Sequence, residues 1–140
     1  MREFGIRVED DYPYRFDSDF MQTGGMEGCE RMLACSERPT ALVTTNAEVL
    51  IGALKCLEAN GLSVPEDISV VSHAQPLNMG LFKVSVTSTA QDQVMLGQRA
   101  GQLLLERLKC ATLPNREVIF PSLIQYGNSV RNLNRPGVPT

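Results

Sequence analysis

Between Pro39 and His73 the chain reads PTALVTTNAEVLIGALKCLEANGLSVPEDISVVSH, in which two short apolar, β-prone runs, 41–45 and 68–72, bracket a stretch of helical periodicity. Ile51, Leu54 and Leu57 mark one buried face of that helix. Asn46 is suited to cap its start, and Glu48 sits in the first turn, where the helix dipole favours an acid. Asn60-Gly61 ends it. A strand, a helix and a strand joined by connections this short are compatible only with a parallel crossover, which is right-handed in nearly all proteins. The run 41–45 is expected to be buried on both faces of such a sheet.

The flanking segments extend the same alternation. Tyr12 to Phe16 reads as a short extended stretch, and Thr23-Gly24-Gly25 opens a helix whose buried stripe is expected at Met26, Cys29 and Leu33. Downstream, 84–88 alternates like a strand, and Gln91-Asp92 starts the longest helix, expected over 92–109. Its stripe of Val94, Gly97, Gly101, Leu104 and Leu108 contains two glycines, which points to close approach by another element. A last strand is expected over 118–125, bent or at an edge because Pro121 lies within it. The tail 131–140 is polar, turn-rich and expected to be disordered. At the other end, REFGIRV resembles the last turn of a helix stopped by Gly5, so the chain reads as beginning inside an element. The fold class that follows is α/β with a mostly parallel sheet flanked by helices.

Charge and cysteine usage narrow the function. The net charge is −3, and the basic residues are scattered, so the chain carries no footprint for a phosphate backbone and is not expected to bind DNA by itself. No apolar run is long enough to span a membrane, and the N-terminus has no signal-peptide succession, so a cytoplasmic location is expected. Cys29, Cys35, Cys56 and Cys110 show no CxxC or Cys/His pattern and read as free, largely buried thiols without a metal or a disulfide framework. His73 is the only histidine, so no second one is available for a catalytic relay. No nucleophile elbow, phosphate loop or dinucleotide fingerprint occurs, so no enzyme activity and no cofactor are expected.

The segment 39–73 resembles the effector-domain signature of the lactose-repressor (LacI/GalR) family, at Asn46, Gly52-Ala53, Gly61-Leu62, Val64-Pro65 and Asp67-Ile68-Ser69-Val70-Val71. Thr87 to Gln91, the helix with Gly97, Ala100, Gly101 and 103–108, the run 120–124, and Asp19-Phe20 with Gly25 resemble further family segments. The likeness extends over about residues 2–129. It implies a periplasmic-binding-protein-like (type I) C-terminal lobe, with about 1–89 and 119–130 in that lobe and about 90–118 returning to an N-terminal lobe. Most of that second lobe and the helix-turn-helix headpiece lie outside this sequence. Val94, Leu104 and Leu108 would then be left exposed and drive association.

In such folds ligands sit beyond the carboxyl ends of the strands. The resemblance implies that Phe20 stacks on a small-molecule effector and that Asn46 hydrogen-bonds it, Asn46 being equally a helix cap. It also implies that His73 is a packed, hydrogen-bonded residue near the cleft. Where the family commonly carries acids, this chain has Ala47 and Ala74, and Tyr126 stands where an arginine is usual. Gln75 is the neutral candidate to replace the acid lost at Ala74, so Phe20, Asn46, Gln75 and Tyr126 form the expected effector set. The departures weaken the case for a familiar sugar. The implied partners are a sugar or related metabolite, a homodimer mate through 47–60 and 74–84, and DNA only through the headpiece. The alternatives are a periplasmic-type sugar-binding protein and an orphan regulator with no effector.

Overall fold

The computed structural model describes residues 14–74 and 83–133. Their elements are α1 (Gln22–Leu33), β1 (Ala41–Thr44), α2 (Ala47–Ala59), β2 (Ser69–Ser72), β3 (Thr87–Ala90), α3 (Gln93–Lys109) and β4 (Leu123–Gln125). The strands form one sheet in the order β1-β2-β3-β4; β1 and β3 flank β2 in parallel, and β4 runs antiparallel to β3. The parallel β1-α2-β2 unit expected from 39–73 is therefore present. The readings at Gly5, Gln75 and 134–140 lie outside the described residues, as does most of 74–84.

Both ends of α2 are set by local chemistry. Asn46 is extended, and its Oδ1 accepts from the Val49 N–H at 2.8 Å. At the other end Gly61 adopts φ 69°, which lets its own N–H reach Glu58 O at 3.0 Å and the Leu62 N–H reach Leu57 O at 2.9 Å. That double closure satisfies carbonyls the last helical turn would otherwise leave open.

The core lies on one face of the sheet. Leu42, opposite Val70 in register, points toward α1 and α2, where Cys29, Met32, Leu50, Cys56 and Leu57 are buried with Ile68 and Val86. α1 and α2 meet at backbone distance: a Cβ on Gly25 would lie 2.3 Å from Val49 O, and one on Gly52 2.0 Å from Gln22 O. Gly25 therefore belongs to the packed face of α1, which is Gly24, Gly25, Cys29 and Met32, not the stripe through Met26. Met26 is half-exposed because the glycines, invisible to a hydrophobicity count, take the contact.

Three other expectations are corrected. β1 is not buried on both faces: Val43 is 74 % exposed, because nothing among the described residues covers the face opposite α1 and α2. The strand expected at 84–88 starts at Thr87. Its first part is tied instead to the closing segment, with Ser85 N donating to Asn128 Oδ1 at 2.7 Å and Asn128 N to Ser85 O at 2.8 Å. The strand expected at 118–125 is reduced to 123–125, at the sheet edge and beyond Pro121, which has no N–H to donate to a ladder.

α3 starts where the sequence predicts, with Asp92 Oδ1 accepting from Met95 N at 2.8 Å. None of its residues is buried, and among the described residues nothing beyond the helix's own nearby backbone comes within 4 Å of a Cβ placed on Gly97 or Gly101. Its apolar stripe faces no element among the described residues, in contrast to 127–131, which is stitched into the sheet. Ser129 is fully buried, donating to Val70 O at 2.6 Å and accepting from Thr87 N at 2.8 Å, and Arg131 N reaches Ser69 Oγ at 3.1 Å.

Candidate functional site at the carboxyl edge of the sheet

The carboxyl ends of β1, β2 and β3 emerge together because the three strands are parallel and in register through Thr44–Ser72 and Ser72–Ser88. Each strand opens into a polar loop: Thr45-Asn46, His73-Ala74 and Gln91-Asp92. The loop before α1 joins them from the side, through Asp19 and Phe20.

Asn46 links two of these loops. Besides capping α2, its Nδ2 donates to Phe20 O at 3.1 Å, so one amide fixes both the helix start and the Phe20 backbone. The remaining amide N–H and acceptor lone pair are not used in those two bonds. Phe20 itself takes φ 62°, a conformation disfavoured for residues with a Cβ, and its side chain is 62 % exposed. A strained backbone holds an aromatic ring in solvent beside the sheet's carboxyl edge, so this Phe is not a core residue.

Asp19 shapes the same loop. Its Oδ1 accepts from Met21 N at 2.9 Å and its Oδ2 from Thr23 Oγ1 at 3.0 Å. The Met21 N–H bond, seconded by Thr23, holds the Asp19 carboxyl below the ordinary aspartate range. A carboxyl lowered in the folded state stabilises the fold above its unfolded pKa, and that contribution is lost as pH falls through the folded value. Wild-type protein is expected to lose stability faster on acidification than Asp19→Asn, in thermal melts taken from neutral pH down into the acid range. Equal slopes would remove Asp19 from this role.

His73 is exposed and hydrogen-bonded, not packed as the resemblance implies, because β2 ends at Ser72 and leaves it on the rim. Thr89 Oγ1 donates to His73 O at 2.6 Å and lies 3.0 Å from His73 Nδ1. Ser72 Oγ closes the turn beneath it by bonding both the carbonyl and the N–H of Ala74. Gln91 is held by Ser122, its Nε2 donating to Oγ at 3.1 Å.

Of the expected effector set, Phe20 and Asn46 are brought into direct contact. Tyr126 is 85 % exposed, but the antiparallel register, with Ala90 opposite Leu123 and Ser88 opposite Gln125, places it on the amino side of β3, away from the carboxyl edge. Gln75 is outside the described residues. Asp19 and Gln91 are legible in the sequence only as parts of family-like segments or a helix start and not as site residues, and Thr89 is not singled out. An acid shortly ahead of a helical pattern is a signal for the first; Thr89 and Gln91 depend on partners 16 and 31 residues away.

Residues 5–130 match the family described as a periplasmic binding protein-like domain. The HTH-type transcriptional repressor PurR of Glaesserella parasuis is 29 % identical over 141 residues, covering 96 % of this chain and 41 % of that protein. Among solved structures, the transcription regulator CcpA of Lactococcus lactis superposes with a TM-score of 0.79 at 22 % identity, covering 93 % of this chain and 46 % of that one. A LacI family transcriptional regulator from Enterococcus faecium, solved with bound ribose, gives a TM-score of 0.73 at 26 % identity, covering 82 % and 42 %. The chain thus spans about two-fifths of the length of the curated relatives it matches.

Proposed function

This chain belongs to the periplasmic binding protein-like domain family, in its LacI-type regulator branch, and we propose that it is the effector-binding and dimerisation part of a bacterial transcription regulator. In this reading a small molecule at the carboxyl edge shifts a lobe-closure equilibrium that a helix-turn-helix reports as DNA affinity. In this reading about 1–89 and 119–130 belong to one lobe, and about 90–118 belong with a second. What supports the division is that α3 buries none of its residues here, while Ser129 is wholly buried between β2 and β3.

The observation that carries the effector reading is the Asn46–Phe20 pair: a half-used amide and a solvent-facing ring, both held at the carboxyl edge. The ligand class that fits is a small neutral molecule with an apolar face for the ring and hydroxyl or amide groups for Asn46. Calorimetric titration of the whole regulator with sugars, sugar phosphates and nucleobases tests it. A ligand that binds is expected to bind about tenfold more weakly to Asn46→Ala, the loss of one or two polar contacts. Unchanged affinity would exclude Asn46 as a contact. The same substitution removes the α2 cap and is expected to lower stability by about 1 kcal/mol in urea denaturation.

A specific observation favours a second reading, an orphan regulator. Ala47 and Ala74 offer no side-chain acceptor at the edge, and Tyr126 is placed away from it. In that case none of these titrations gives heat, while DNA binding by the whole regulator is retained.

A further inference from the structure

Cys29 and Cys56 take no part in the carboxyl-edge site, and each is 2 % exposed. They occupy equivalent places on two helices. Cys29 follows Gly25 by one helical turn, and Cys56 follows Gly52 by one turn, so each thiol shares a helix face with its glycine. Those glycines are the points at which α1 and α2 touch through backbone atoms. The helices stay side by side around that contact: Gln22 Nε2 donates to Glu48 Oε2 at 2.9 Å, and Lys55 Nζ donates to Gln22 Oε1 at 2.8 Å. One turn beyond the crossing both thiols lie buried in the same core cluster, and Cys56 is the neighbouring group that acts on the Cys29 thiol.

We propose that Cys29 and Cys56 form an oxidisable dithiol, a modification site at which a disulfide clamps α1 to α2. The co-reactant is a small-molecule disulfide. The thiolate of one cysteine attacks it, forming a mixed disulfide and expelling one small thiolate. The second cysteine's thiolate then attacks the protein sulfur of that mixed disulfide and expels the other. The two protein thiols lose two electrons and two protons in all, and the reagent leaves as two thiols.

Burial pushes the Cys29 thiol up, reinforced by Cys56, which keeps Cys29 from reacting as a thiolate in the closed fold. Reaction is gated by transient opening of α1 from α2, unlike reaction at exposed Cys110, whose thiol Thr112 lowers. Once formed, the bond pins the two helices whose N-terminal ends carry Phe20 and Asn46. Oxidation therefore stiffens the carboxyl-edge site without touching it. This inference stands on α1–α2 packing and is independent of which effector, if any, the site takes.

The test is oxidation of a Cys35→Ser/Cys110→Ser variant with oxidised glutathione, with and without urea below the unfolding transition. The expected product is monomeric, about 2 Da lighter, and yields a peptide linking residues 29 and 56. Closing a loop of roughly thirty residues should raise the melting midpoint by about 10 °C. Amide exchange should slow at 20–25 and 46–49, and formation should be faster in urea than in buffer. Adding Cys29→Ser must abolish the mass change and the melting shift together. Two thiols still open to alkylation after oxidation in urea, or links only between molecules, would overturn the proposal. If the double variant does not fold, peptide mapping of the oxidised wild-type chain decides the same question.

Discussion

Gly52→Ala is expected to lower the stability of the folded chain by about 3 kcal/mol, at the upper end of the usual cost of adding one methyl group to a packed interior. The added Cβ would stand 2.0 Å from Gln22 O and 2.8 Å from Gln22 C. Those are backbone atoms of α1, so no rotamer change relieves the clash; the helices must separate, and the buried Cys29, Met32, Leu50 and Leu57 lose contact with one another. Urea denaturation should show a lower midpoint with little change in slope. Gly97→Ala is the matched control. Among the described residues nothing beyond its own helix backbone approaches that Cβ within 4 Å, and α3 should gain up to about 1 kcal/mol of helix stability. A Gly52→Ala protein as stable as wild type would mean that α1 and α2 do not cross where described.

Ser129→Ala is expected to have a comparable effect through a different mechanism. The Ser129 hydroxyl is fully buried and serves two strands at once, donating to Val70 O at 2.6 Å and accepting from Thr87 N at 2.8 Å. The strands β2 and β3 pair directly only through Val71–Thr87 and Ser72–Ser88, so the Ser129 hydroxyl and the Ser129 carbonyl, which accepts from Val70 N at 2.9 Å, carry the ladder where the strands diverge. Alanine leaves one buried carbonyl and one part-buried N–H without partners. At about 1–3 kcal/mol for each orphaned group, a loss of about 3 kcal/mol follows. Ser129→Thr retains the hydroxyl and should recover part of it. Amide exchange at Thr87 is the local readout, accelerating far more than exchange in α2.

How much of the fold is legible in the sequence depends on whether the deciding contact is local. The α2 unit is legible because its cap residue Asn46 and its stop Gly61 act within a few residues of themselves. Met26 is misplaced because a hydrophobicity count cannot register Gly24 and Gly25 as a contact surface. The start of β3 is misplaced because its neighbours, Gly127 to Ser129, come from some forty residues later. At the site, Asn46 is legible as a cap and as an effector contact by resemblance, yet its bond to Phe20 spans 26 residues and has no sequence signal. The placement of Tyr126 follows from antiparallel register, which 118–125 alone does not disclose. The departures at Ala47 and Ala74, by contrast, are fully legible, because a missing acid is a matter of which side chain is present and not of where it lies.

The two-lobed account rests on one physical contrast: α2 is locked into a core, while α3 buries none of its residues against the other described elements. Hydrogen–deuterium exchange of this chain alone, at concentrations where it is monomeric, measures that contrast directly. A helix with no tertiary packing is marginal in water, so amides of 93–109 are expected to exchange at least about 100-fold faster than those of 50–57. Exchange in α3 as slow as in α2 would show that α3 is already packed within this lobe, and the assignment of 90–118 to a second lobe would fail.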